Sequence, residues 1–280
     1  MQLPVPVWKG TAIYPSVELR PPTPDTIAAT QEAVEHGLYR AVVAFLSGCI
    51  ASFTAPGAAP VDDRKEIEAM VRAMPYMSAE PVAIYALLEG DADDGIEGVY
   101  PCPRCGTKVV CEFVSEEEDT RDHIRSLPVT CLGWNGSVFD PAQVSRTITF
   151  RMGAAVKVAK QSAGGGDEVW AGEFEMRWPT LADCMQAEAR LPGKASLRQQ
   201  MEIYAIAVER IEQEQLTPGV LGTYAQTMIH AMSKQDLARL GGEMQKWGMR
   251  NTVRKACPSC GKVWEPTVAT SNFFVSALAS

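Results

Sequence analysis

The sequence predicts an α+β chain: an internal duplication of two mostly helical units with short strands, joined through one four-cysteine site and a β-rich middle segment. Three observations predict it. Cys102-Pro103-Arg104-Cys105-Gly106 recurs as Cys257-Pro258-Ser259-Cys260-Gly261, 155 residues further on. Each copy leads into a short β-like run, Lys108-Val109-Val110-Cys111-Glu112-Phe113 and Lys262-Val263-Trp264-Glu265-Pro266-Thr267-Val268. Finally, Val17-Glu18-Leu19-Arg20-Pro21-Pro22-Thr23 matches Phe174-Glu175-Met176-Arg177-Trp178-Pro179-Thr180 at an offset of 157, and Met77-Ser78 with Ala83 matches Met232-Ser233 with Ala238 at 155. Landmarks in one order at nearly one spacing are the mark of a repeat. The expected division is 1–115 for the first repeat, 116–168 for a β-rich connector and 169–280 for the second repeat.

Taken in order, residues 1–23 read as extended and proline-rich, with no core partner assigned to Met1–Pro15. That run and Phe273–Leu278 are expected to make subunit contacts, so that deleting either leaves the monomer folded yet blocks assembly. Thr23 is placed to cap a helix with Pro24 at its first position and Asp25 in its first turn. After Gly37, Leu38, Val42, Phe45, Leu46, Cys49, Ile50 and Phe53 fall at helical spacing. Asp62 or Asp63 is placed to cap a helix carrying Ile67, Met70, Val71 and Met74, and a short helix is expected over Ser78–Leu88. Asp91–Gly98 reads as a solvated turn, because Cys102 stands where a calcium loop needs its bidentate Glu.

Glu116-Glu117-Glu118-Asp119 reads as a solvated charge run, and Arg146–Lys160 as strands. Gly164-Gly165-Gly166 lacks the Lys-Ser/Thr of a phosphate loop and is expected at a hairpin tip before a strand over Val169–Trp178. Thr180 is placed to cap a helix with Leu181, Cys184 and Met185 inward. Leu197, Met201, Tyr204, Val208 and Ile211 mark a long helix. Thr217-Pro218 opens another, and Ser233 with Asp236 forms a near capping box for a fourth with Leu237, Leu240, Met244 and Trp247.

With 280 residues, 46% of them hydrophobic and 21% charged, the chain is long enough to bury a core. Its net charge of −8 works against a broad phosphate-binding surface, and no nucleic acid partner is expected. The N-terminus lacks the basic and apolar regions of a signal peptide. The apolar run Ala41–Phe53 is broken by Ser47, Gly48 and Ser52 and falls short of the roughly 20 residues of a membrane span. Eight cysteines without a secretory signal point to metal binding and packing rather than to disulfides.

Cys-Pro-x-Cys-Gly is a knuckle: a tight turn aims two thiolates at one ion, and Gly takes the left-handed conformation behind them. A structural Zn²⁺ takes four ligands and one knuckle supplies two, so Cys102, Cys105, Cys257 and Cys260 are predicted to hold one shared ion. The same four thiolates also suit an iron–sulfur cluster. Cys111 and Cys131 are alternative ligands should the two halves not meet. A redox-active pair would open a helix, whereas each knuckle here runs into β-like residues. Cys49 and Cys184 fall on apolar helix faces as core residues. His36, His123 and His230 stand alone, no nucleotide fingerprint is present, and the sequence reads as a non-enzyme with no catalytic or cofactor-binding residues. Arg104, Lys108, Arg250, Arg254, Lys255 and Lys262 near the knuckles keep a second reading, a zinc-ribbon nucleic-acid or transcription-associated protein. Thiol oxidoreductase is a third.

Val17–Ile27, Cys-Pro-Arg-Cys-Gly at Cys102, Glu175–Thr180 and Cys-Pro-Ser-Cys-Gly-Lys-Val-Trp-Glu-Pro at Cys257 with Phe273-Phe274 beyond it form a pattern over roughly residues 10–278. In this pattern the sequence resembles the baseplate hub and tail-assembly protein family of T4-like contractile-tailed bacteriophages. The resemblance implies a structural role in a hetero-oligomeric assembly beneath the tail tube, with other tail and baseplate proteins, the tape-measure protein and tube components as partners. It implies a location in the virion tail, or in the host cytoplasm during assembly, and carries over no catalytic residues. The stretch Glu116–Ala142 is an insertion relative to that pattern.

Overall fold

A run of apolar residues at the start of the chain, buried without a break from Leu3 to Val7, makes its first sheet. In β1 (Gln2–Lys9), Leu3, Val5 and Val7 are buried; Gly10, at a φ of 61°, turns the chain back into β2 (Ala12–Leu19), where Tyr14 and Val17 are buried. The expectation that Met1–Pro15 is a free docking segment is therefore corrected. Its prolines do not prevent pairing, and its apolar residues at every second position find a core that helical periodicity further along the chain gave no means of assigning to them. The computed structural model describes residues 1–90, 97–112, 144–160, 167–192, 197–212, 218–245 and 255–265.

Thr23 caps α1 (Pro24–Val34) by accepting from the Thr26 N–H. Next come α2 (Leu38–Cys49), β3 (Ile50–Thr54), α3 (Arg64–Ala73), capped by Asp63, and α4 (Tyr76–Gly90). The hairpin of β4 (Glu97–Pro101) and β5 (Lys108–Glu112) ends the first half. The second half comprises β6 (Thr147–Lys160), β7 (Asp167–Arg177), α5 (Leu181–Arg190), α6 (Leu197–Ala207), β8 (Val208–Ile211), α7 (Pro218–His230) and α8 (Lys234–Gln245). It closes with the short pair β9 (Lys255–Ala256) and β10 (Val263–Trp264). The order strand, strand, helix, helix, strand, helix, helix, hairpin thus runs twice.

The parallel extends to irregularities. The sheets β1-β2-β3 and β6-β7-β8 are both antiparallel, and the pairing with the third strand slips between Glu18 and Leu19 in one and between Glu175 and Met176 in the other. The first strand of each sheet is also irregular, between Gln2 and Val7 and between Arg151 and Val156. An interrupted ladder leaves backbone groups needing partners. Ser78 at the start of α4 bonds both the N–H and C=O of Val5, at 3.0 and 2.7 Å, and Asp236 at the start of α8 accepts from the Gly153 N–H at 2.9 Å.

Two helices end earlier than their apolar spacing predicts. Ile50 and Phe53 belong to β3 and Val208 and Ile211 to β8, each strand following its helix with no loop between them. Ile50 already has extended backbone, at φ −83° and ψ 123°. Arg146–Lys160 contributes one long strand, β6, and this strand from the expected connector is hydrogen-bonded into the sheet of the second half. The expected turn at Asp91–Gly98, the charge run Glu116–Asp119, the glycine tip, Thr217, Trp247 and the tail Phe273–Leu278 lie wholly or largely outside the described residues.

Each half has its own core, around Phe45, Leu46, Phe53 and Met74 in the first and Phe174, Met176, Tyr204 and Met228 in the second. The cores also exchange residues: Val5 and Met77 pack into the second, and Leu181 into the first. Between them the Tyr76 N–H donates to Pro179 O and the Leu181 N–H to Met74 O, both at 3.0 Å. Gly37, with φ 131°, leaves α2 without a side-chain cap of its own; Glu188 from α5 supplies one, accepting from the Leu38 and Tyr39 N–H groups at 2.8 and 3.3 Å. A Cβ at Gly37 would stand 2.3 Å from the Glu188 carboxylate, which is why glycine is needed there.

One buried carboxylate joins three helices of the second half. Glu202 on α6 is paired with Arg190 on α5, and it accepts from Gln226 Nε2 on α7 at 2.9 Å with His230 Nε2 at 3.7 Å. Burial pushes its pKa up, but the hydrogen bonds from Arg190 and Gln226 and the Arg190 charge outweigh that and hold it below the ordinary 4.5. A carboxyl with a depressed folded pKa contributes stability above its unfolded value and loses it as pH falls through the folded one. The wild type is therefore expected to be more stable than Glu202→Gln at neutral pH, with the gap closing as pH falls below about 4.5. Urea unfolding of both proteins across that range is the measurement; a gap that does not change with pH would contradict the assignment.

Candidate metal centre

The two cysteine turns are the same structure made twice. In the first, the Cys102 N–H donates to Thr107 O at 2.8 Å and the Gly106 N–H returns to Cys102 O at 2.9 Å. In the second, the Cys257 N–H donates to Lys262 O and the Gly261 N–H to Cys257 O, both at 2.9 Å. Gly106 and Gly261 have φ of 72° and 68°, the left-handed conformation that a side chain would strain. Pro103 and Pro258 fix φ at the position where each turn starts to reverse. Each turn thereby directs two sulfurs to one side of its hairpin.

The fold brings both turns together. The sulfurs of Cys102, Cys105, Cys257 and Cys260 all lie within 4.8 Å of one another, Cys102 being 3.7 Å from Cys260 and Cys105 3.6 Å from Cys257. These four cysteines are free thiols, and the separations are well beyond the roughly 2.05 Å of a disulfide. Four thiolates at about 2.3 Å from a central zinc stand about 3.8 Å apart along each edge of the tetrahedron. The four-cysteine set is thus arranged to hold a metal ion.

Cys102 and Cys257 are buried, Cys260 is half-buried and Cys105 exposed, and Val109 and Trp264 pack against the sulfurs. The Arg104 N–H donates to Cys102 Sγ at 3.4 Å. The Thr107 hydroxyl and N–H bring Cys105 down to about 6. Cys260 goes the other way: the Lys262 N–H lowers it, but burial and the neighbouring sulfurs push it up to about 11. Negative charge on one sulfur thus hinders it on the next, and a bound cation removes that conflict by stabilising all four thiolates. Four protein ligands fill a tetrahedral zinc site.

Two further cysteines, Cys49 and Cys184, lie in the helical cores and outside this group. Cys49 and Cys184 are fully buried in helices, with burial raising the Cys49 thiol to about 12 and the Cys184 thiol further. Cys111 sits in β5 opposite Gly98, while Cys131 and His123 lie outside the described residues. His230 borders the Glu202 cluster and His36 is exposed, each apart from the sulfurs. The four cysteines themselves were visible in sequence. Thr107, Val109 and Trp264, which tune and cover them, were not singled out, although each occupies a set position just after a knuckle.

Among the described residues, neither β4–β5 nor β9–β10 packs broadly on another element, and their cluster of Cys102, Val109 and Cys257 is separate from both large cores. The two halves also meet away from the cysteines, where α5 packs against α2 and α3 and caps α2. Also among the described residues, no helix is long and apolar enough to cross a membrane. Compared with family models, curated proteins and solved structures, the chain gives no match.

Proposed function

We propose that this chain is a non-enzymatic, zinc-stabilised structural component of a contractile phage baseplate hub, built from a duplicated unit and docking onto other tail proteins. The observation that carries the structural part is the closed four-cysteine clasp, with two ligands from each half and none of its positions open to substrate. The repeated order of elements supports the duplication. Placement in a phage baseplate rests on the sequence pattern around Val17–Ile27, Glu175–Thr180 and the knuckles. The buried, protonated Cys49 and Cys184 offer no nucleophile that would suggest catalysis instead.

Elemental analysis of the purified chain is the first test, with one zinc per folded molecule expected. Two zinc ions would mean separate sites, iron would mean a cluster, and an absence of metal would remove the clasp. Co-expression with the tail-hub proteins of a contractile phage tests the second part: a stable complex on size exclusion is expected, and consistent failure to co-elute counts against the assignment.

The exposed Arg104, Lys108 and Lys262 beside the clasp favour a second reading, a zinc ribbon that binds nucleic acid. They also offset the two negative charges that a divalent ion bound by four thiolates retains. Salt-dependent affinity for DNA or RNA would favour this alternative, and no binding at low salt would remove it.

A further inference from the structure

A second site lies away from the clasp, where the two halves meet. Helices α1, α2 and α3 of the first half and Met185 on α5 of the second line an open cavity of about 370 Å³. That is within the range of small-ligand sites, which favour such junctions. One part of its lining is apolar, with Ala33, Val43, Ala44 and Met185. The floor is tight because α1 and α2 touch at Gly48, where a Cβ would fall 2.2 Å from the Thr26 methyl carbon.

Among its charged residues the lining has arginines in excess over acids, in a chain whose net charge is −8. Arg72 is held by Glu68, at 3.1 and 2.7 Å. Arg40 and Arg64 also line the cavity, and neither has a hydrogen bond or ion pair among the described residues. Asp25 lines it as well, so the acids there are two, Asp25 and Glu68, against three arginines. A further group points the same way. Ser47, also in the lining, has a buried hydroxyl oxygen with no hydrogen-bond partner, a state that costs free energy until a partner arrives.

We propose that this cavity binds a small molecule carrying a carboxylate or phosphate group on an apolar body. Arg40 and Arg64 hold the anionic group through charge-assisted hydrogen bonds, for which the guanidinium fork is suited. Ser47 supplies a further donor, and the apolar part rests against Val43, Ala44 and Met185.

Titration calorimetry of the full-length, metal-loaded chain with phenyl phosphate, benzoate and inorganic phosphate at fixed ionic strength tests this. Saturable binding at one site per chain is expected, tighter for the two aromatic probes than for inorganic phosphate because only they carry the apolar body. Preference between the two aromatic probes separates phosphate from carboxylate as the natural group. Arg40→Gln and Arg64→Gln should each weaken binding by about tenfold or more while melting like the wild type. Arg198→Gln, an exposed arginine on α6 outside the cavity, should leave it unchanged. Non-saturating heats in the wild type, or the same loss in Arg198→Gln as in the cavity variants, would overturn the proposal. If the cavity variants do not melt like the wild type, Ser47→Ala takes their place, and undiminished affinity in it would overturn the proposal equally.

Discussion

Stripping the metal with a chelator, or replacing both Cys102 and Cys257 with serine, is expected to unfold the two hairpins and leave the two helical cores standing. The hairpins and the cores are unequally supported. Among the described residues, Val109 and Trp264 are the apolar side chains packed on the sulfurs, far too little to order two short hairpins alone. Zinc binding worth about 10–16 kcal/mol in small zinc modules is ample for that task. The cores around Phe45 and Phe174 share no residue with the cluster and are joined by their own backbone hydrogen bonds. Hydrogen exchange should therefore lose protection over residues 97–112 and 255–265 on chelation while the amides of α2 and α6 stay protected. Global unfolding on metal removal would show that the clasp supports far more than its hairpins.

Deleting residues 1–9 is expected to do the reverse, abolishing the cooperative fold while leaving the metal ligands in the chain. Leu3, Val5 and Val7 are each at most 1% exposed. At about 1.5–3 kcal/mol for each fully buried side chain, their loss removes about 5–9 kcal/mol. A whole domain typically has a net stability of about 5–15 kcal/mol. The damage reaches both halves, since Leu3 and Val7 belong to the first core and Val5 to the second. Near-UV circular dichroism of the truncated chain should show lost tertiary packing; a native spectrum with a sharp melting transition would defeat this expectation.

The two outcomes divide along what could be read from the sequence. The clasp was legible because its signal is local: two cysteines, a proline and a glycine in a fixed order define a turn wherever they occur. Thr23, Asp63 and Thr180 were legible as caps for the same reason, each contacting its own first turn. The buried role of β1 was not. Its partners are β2, Ser78 on α4 and the core of the other half, and no spacing within residues 1–9 encodes them. The ends of α2 and α6 failed for a different reason. Ile50 and Val208 continue the apolar rhythm of the helix before them, and the sheet edge that captures them as strand lies far away in sequence. The charged cavity was missed likewise, because Arg40, Arg64 and Ser47 look like ordinary surface and mid-helix residues until three helices gather them.

Cys105 and Cys257 stand 152 positions apart, so an ion gripping both converts the intervening chain into a ring. A disulfide would make the same ring, but its opening would be set by reductant; this one answers to the supply of metal and to acid. Because the entropy of closing a ring grows only with the logarithm of its length, the stretch between β5 and β6 can lengthen or shrink among variants of this chain with little effect on how firmly the ring is shut.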